Sequence, residues 1–70
     1  MMPLALASAG EENIIKKVGG SPEVRQHLEE LGFTAGSTVT VITQRGGNGI
    51  VKVRESRIAI SNEMARRIMI

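Results

Sequence analysis

The feature that most constrains the fold is a short helix with both ends written into the sequence, followed at once by strict alternation of the β type. The stretch from Ser21 to Gly36 reads SPEVRQHLEELGFTAG. Ser21 supplies an N-cap oxygen, and Pro22 takes the first helical position, where a missing N–H costs nothing. Glu23 puts a carboxylate at the positive end of the helix dipole. Val24, Leu28 and Leu31 recur at i, i+4 and i+7 and form one apolar stripe. Gly32 is the expected left-handed stop, with Phe33 packing back over the last turn. Ala35-Gly36 then suits a turn that needs positive φ at Gly36. A helix this short is marginal in water by itself, so it must dock on an apolar surface.

The rest of the chain supplies that surface as strands. Asn13–Val18 (NIIKKV) is expected to be the first, with Ile14, Ile15 and Val18 suited to a pleated surface. After Gly36, the alternation in STVTVITQ sends Val39 and Val41 to one side and Thr38, Thr40 and Ile42 to the other. Arg45 to Gly49 is expected to be a Gly-rich hairpin loop. Ile50–Arg54 returns antiparallel with Val51 and Val53 inward and Lys52 and Arg54 outward. Glu55-Ser56 turns the chain into RIAIS, where Ile58 and Ile60 repeat the pattern. Ser61 or Asn62 caps one helical turn, NEMA, and Arg67–Ile70 forms a last short strand. Leu4 and Leu6 are expected to cover one end of the core. The fold class is thus mostly β, a small closed barrel of about five strands with one helix inserted between strands 1 and 2. Residues 1–70 make one domain.

Composition narrows the function more by exclusion than by suggestion. The chain has no cysteine, one histidine (His27) and one aromatic residue (Phe33). Thiol catalysis and disulfides are excluded, and Ser-His chemistry would rest on His27 alone. Stacking platforms for single-stranded nucleic acid and aromatic grooves for proline-rich peptides are excluded too. MMPLALASAG lacks the basic region of a signal peptide, and no stretch is long enough to span a bilayer, which together lead to an expectation of a cytoplasmic protein.

Net charge is +2, but five of the seven acids precede Phe33. Arg45, Lys52, Arg54, Arg57, Arg66 and Arg67 give the C-terminal half a basic bias suited to a phosphate or an acidic partner, the competing reading being the solvated outer faces of a soluble barrel. The glycines at Gly46, Gly47 and Gly49 are not followed by Gly-Lys-Ser/Thr and have no G-x-G-x-x-G spacing, so they mark a hairpin rather than a nucleotide site. Glu23, His27 and Glu30 fall within an arc of roughly 60° on the helix. Two carboxylates and an imidazole are ligand types for Fe2+ or another divalent transition metal, the one cofactor class the residues suggest. The competing reading is a solvated polar border beside the apolar stripe, because the three side chains must converge from two turns. No acid–base pair is arranged for catalysis, and an enzyme is not expected.

Taken together, PLALASAGE, HLEELGFTAGSTVTVI, the Gly-rich hairpin and RIAIS followed by EMARRIMI resemble the ferrous iron transport protein A (FeoA) family. The centre of the resemblance is L-x-x-x-G-F-x-x-G-x-x-V-x-V at Leu28, Gly32, Phe33, Gly36, Val39 and Val41. Ile58 to Ile68 add I-A-I-S-x-x-x-A-x-x-I, and the match covers essentially the whole chain. Members often carry Gly in the turn where this chain has Glu55. The resemblance implies an SH3-like barrel and a cytoplasmic accessory role beside the membrane ferrous iron transporter with a GTP-binding domain, the FeoB type. It also implies similarity to the C-terminal domain of iron-dependent repressors.

For that role the expected partner surface is the outward basic set Arg45, Lys52, Arg54 and Arg57 with the loop residues Gly46, Gly47 and Gly49, since loops on a rigid barrel carry function. Leu28, Leu31 and Phe33 are expected in the core. Two alternatives stand beside it. GSTVTVITQRGGNGIVKV resembles the KOW pattern of RNA-binding barrels, against which the inserted helix and the modest charge argue. A stand-alone iron-sensing domain would depend on Glu23, His27 and Glu30.

Overall fold

The computed structural model describes Met1–Ile70. A 3-10 turn at Leu4–Leu6 precedes β1 (Glu12–Ile14), β2 (Lys17–Val18), α1 (Pro22–Glu30), β3 (Thr38–Arg45), β4 (Asn48–Val53), β5 (Ser56–Ser61), α2 (Asn62–Ala65) and β6 (Ile68–Met69). Four strands form one antiparallel sheet in the order β1-β3-β4-β5, and β2 pairs with β6 in a second.

The helix forms as its sequence dictates. Ser21 Oγ accepts the Val24 N–H at 3.3 Å, with Pro22 opening the first turn. At the other end the Phe33 N–H donates to the Leu28 carbonyl and the Gly32 N–H to the Glu29 carbonyl, both at 3.0 Å. These are the two bonds of a Schellman motif, and Gly32 takes the left-handed position with φ +110°. Phe33 and Leu28 then both enter the core. Leu31 is the C-cap residue and is 38% exposed, so the apolar stripe ends at Leu28 rather than running on to Leu31.

Across the β3–β4 ladder, Val39 pairs with Val53 and Val41 with Val51, and all four are buried. They meet Leu4, Ile15, Val18, Leu28, Phe33, Ile60 and Ile68 in one hydrophobic cluster. A β-bulge between Val41 and Thr43 shifts the register and leaves Ile42 unopposed. The Gly-rich hairpin is tighter than a five-residue loop, because the ladder runs to Arg45↔Asn48 and only Gly46-Gly47 turn.

Further expectations are corrected. The strand expected over Asn13–Val18 is two strands with different partners. β1 lies along β3, the Ile15 N–H donates to the Ser37 carbonyl, and the Lys16 N–H already donates to Met69. Two consecutive isoleucines cannot face the same way in a strand, and Ile14 is exposed while Ile15 is buried. Leu6 is also exposed although Leu4 is buried, because residues two apart in a 3-10 turn leave on different sides.

Arg54 is not an outward strand residue. It is the first residue of a two-residue turn with φ +56°, closed by the Val53↔Ser56 pair. The left-handed position therefore falls on Arg54, and Glu55 has no positive φ to accommodate. Finally, the barrel is not closed by a continuous ladder. β1 and β5 are both sheet edges, and six short strands share the work, in keeping with the expected number of about five.

Candidate functional site

Antiparallel register decides which side chains share a face. Glu12 pairs with Thr40, Thr40 with Lys52 and Lys52 with Arg57, giving one row across the whole outer face of the four-stranded sheet. Beside that row lies a recess of about 380 Å³ lined only by polar residues: Glu12, Ser37, Thr38, Thr40, Lys52 and Arg54. Arg54 reaches it from the β4–β5 turn, where its left-handed backbone aims the side chain back toward Gly32. Lys52, Arg54 and Arg57 are exposed, and the chain's one ion pair, Arg67 with Glu63 at 3.6 Å, lies elsewhere. The face thus offers three cations and three hydroxyls with one carboxylate at its β1 margin.

The other half of the expected basic surface is elsewhere. Arg45, Gly46, Gly47 and Gly49 sit at the tip of the β3–β4 hairpin, four residues along β4 from Lys52, about 13 Å. Gly46 and Gly49 line a second recess of about 330 Å³, floored by Leu4, Val41, Val51 and Ile60. Gln44 ties that tip to the N-terminal segment through a 3.1 Å bond from its Nε2 to the Ala5 carbonyl, and the Asn62 N–H donates to the Gly47 carbonyl. The structure therefore groups Lys52, Arg54 and Arg57 and sets Arg45 with the glycines apart. Ser37, Thr38 and Glu12 join the first group without having been expected. The β3–β4 ladder brings Ser37 and Thr38 beside Lys52 and Arg54, and the β1–β3 register adds Glu12; the alternation announces that Thr38 faces outward but not what it faces.

Glu23, His27 and Glu30 remain on the exposed face of α1. Glu30 Oε1 accepts from Gln26 Nε2 at 3.4 Å, along the same helix. No three acids or histidines of the chain come together closely enough to hold a metal ion. The reason is spacing, since residues seven apart on a helix are separated by about 10 Å along its axis.

No helix is long and apolar enough to cross a membrane.

With this geometry in view, comparison with known proteins is informative. A family model described as the FeoA domain matches residues 2–70. A curated relative from Methanocaldococcus jannaschii, assigned by inference as an Fe(2+) transport protein A, is 39% identical over 70 residues, covering 100% of this chain and 85% of its own length. Among solved structures, an iron uptake regulatory protein (FeoA) superposes with a TM-score of 0.89 at 29% identity, covering 96% of this chain and 91% of that one. FeoA from Stenotrophomonas maltophilia, a prokaryotic SH3 domain protein crystallised with zinc, gives a TM-score of 0.87 at 23% identity, covering 99% and 88%. A manganese-dependent transcriptional repressor shares the fold at TM-score 0.86 and 16% identity, over 94% of this chain and 38% of its own. The architecture is SH3-like.

Proposed function

We propose that this chain, which belongs to the FeoA family of ferrous iron transport, is a cytoplasmic accessory protein that docks on a FeoB-type membrane transporter and tunes it. Ferrous iron is then the transporter's cargo. The observation that carries the docking role is the outer sheet face, where Lys52, Arg54 and Arg57 stand exposed with no intrachain acid bonded to them. An exposed cationic set on a rigid sheet steers and orients an acidic partner more than it stabilises its own fold. The hairpin tip with Arg45, Gly46, Gly47 and Gly49 is a second contact on the same partner.

The test is an amide NMR titration of the labelled chain with the cytoplasmic GTP-binding domain of the transporter from the same genome. Shifts are expected on the β3–β5 face, and the double charge reversal Lys52→Glu/Arg57→Glu is expected to abolish them. Binding that survives this reversal sinks the assignment of the face. An RNA oligonucleotide titrated in parallel separates the KOW-like alternative, which requires binding that falls steeply with salt.

A further inference from the structure

Sheet edges differ in how well they are protected, and this sheet has two. β1 is three residues long and ends where the chain leaves to pair with β6. β5 is six residues long, free of proline, and paired to β4 in unbroken register from Ser56 to Ser61. Short strands, bulges, prolines and charged side chains are the devices that blunt an edge, and of these β5 has only a charge, Arg57. Its two-residue turn makes Val53↔Ser56 a hydrogen-bonded pair, so Ser56, Ile58 and Ile60 turn their backbone groups toward β4. The N–H and C=O of Arg57 and Ala59 point the other way. No backbone bond outside the strand ladders uses them, and both residues are exposed.

Charge identifies what would pair there. Lys52 and Arg57 lie directly opposite each other on the outer face. Like charges in that position are destabilising, and neither residue has an ion-pair partner. A carboxylate on a further strand beside β5 would stand next to Arg57 and continue the row Glu12–Thr40–Lys52–Arg57 with the sign it lacks.

We infer that the free edge of β5 is a strand-addition site for an extended, acidic segment of a protein partner, with Arg57 and Ala59 supplying backbone bonds and Arg57 and Lys52 reading a carboxylate. This rests on the docking reading above for the source of the segment, while the edge itself is tested without it. The probe is a blocked hexapeptide, Thr-Glu-Val-Glu-Val-Thr, with a Lys-for-Glu counterpart as control.

In an amide NMR titration the acidic peptide is expected to shift Arg57 and Ala59 and slow their hydrogen exchange, while the basic peptide leaves them unchanged. Ala59→Pro removes one outward N–H without breaking a bond to β4. It is expected to weaken peptide binding about five- to tenfold, the equivalent of one hydrogen bond. Should Ala59→Pro perturb the fold, Arg57→Glu carries the test, because it must exchange the preference from the acidic to the basic peptide.

Equal binding of both peptides, or shifts confined to the hairpin tip, overturns the inference. So does concentration-dependent protection of Arg57 and Ala59 in the chain alone, which would assign the edge to a second copy. If the transporter's GTP-binding domain binds Ala59→Pro as well as it binds the wild type, the edge is not its site and the inference falls while the docking reading stands. If the peptide pairs with β5 and the wild-type chain ignores that domain, the docking reading falls instead.

Discussion

Gly32→Ala isolates the backbone as the reason for a glycine after α1. Gly32 has φ +110°, beyond the left-handed well near +57° that L residues visit at a cost of about 1–2 kcal/mol. A Cβ built there meets Arg54 Cδ at 3.4 Å, Arg54 Nε at 3.5 Å and Val53 Cγ2 at 3.6 Å, which are ordinary contacts. Space is therefore not the obstacle. Alanine returns about 0.4–1 kcal/mol by restricting the unfolded chain, but loses more where the native φ is incompatible. The net expectation is destabilisation of about 1–2 kcal/mol, a fall in Tm of about 4–16 °C for a domain this size. Far-UV circular dichroism during thermal and urea unfolding measures it. Adding Arg54→Ala, which clears the nearest side chain, is expected to recover nothing. Recovery in that double variant would show that crowding, not φ, makes Gly32 necessary. Gly46→Asn is the matched control, since Gly46 has φ +57° and nothing within 4 Å, and asparagine accepts that conformation.

Three further outcomes follow from the same geometry. Lys52→Glu turns a like-charge cross-strand pair with Arg57 into an opposite one, and is expected to raise stability by about 0.2–1 kcal/mol in urea melts at low salt, with the gain shrinking as salt is added. Ser21→Ala removes the oxygen that accepts the Val24 N–H and is expected to cost about 1 kcal/mol, read from the same melts. His27→Ala is expected to leave anaerobic Fe2+ titrations of the chain unchanged, because its candidate partners Glu23 and Glu30 do not converge on it; a lost calorimetric signal would restore the metal site.

What was legible in the sequence is what local chemistry determines. Ser21, Pro22, Gly32 and Phe33 announce the helix ends without reference to the rest of the chain, and Ser61 does the same for α2, accepting the Met64 N–H at 3.2 Å. The alternation of Val39, Val41, Val51 and Val53 fixes their burial because a one-residue slip would expose all four. What was not legible depends on partners distant in sequence. Leu31 continues the helical stripe on paper, but no element covers the cap position it occupies. Residues 13–18 look like one strand because each half suits a pleated surface, and only the competition between β3 and β6 for the backbone splits them. The basic set was recognisable by composition, yet its division into a sheet-face group and a hairpin-tip group is a matter of register. Ser37, Thr38 and Glu12 enter the recess for the same reason, and none has a motif to mark it.

The split of the first strand and the free edge of β5 are one fact seen from two sides. A barrel of this kind closes by pairing its last strands with its first, and here that closure is carried by β2 with β6 over Lys17↔Met69 and Val18↔Ile68 alone. After Ser61 the chain turns through α2 before it returns, so the strand that meets the first segment is β6 and not β5. β1, meanwhile, is held on β3 by Glu12↔Thr40, Asn13↔Val39 and Ile14↔Thr38, the width of the sheet away from β5. No residue is left to pair with the outer side of Ser56–Ser61. Folding tolerates this because the inward side chains of β5, Ile60 and the partly buried Ile58, already pack against the core, so their apolar contribution does not depend on an outer neighbour. The unpaired groups of Arg57 and Ala59 remain hydrated at little cost, and Arg57 discourages indiscriminate pairing with neutral strands. An edge kept open, regular and marked with one sign of charge is selective rather than merely unprotected, because a partner strand gains full backbone pairing only when it also brings a carboxylate to Arg57.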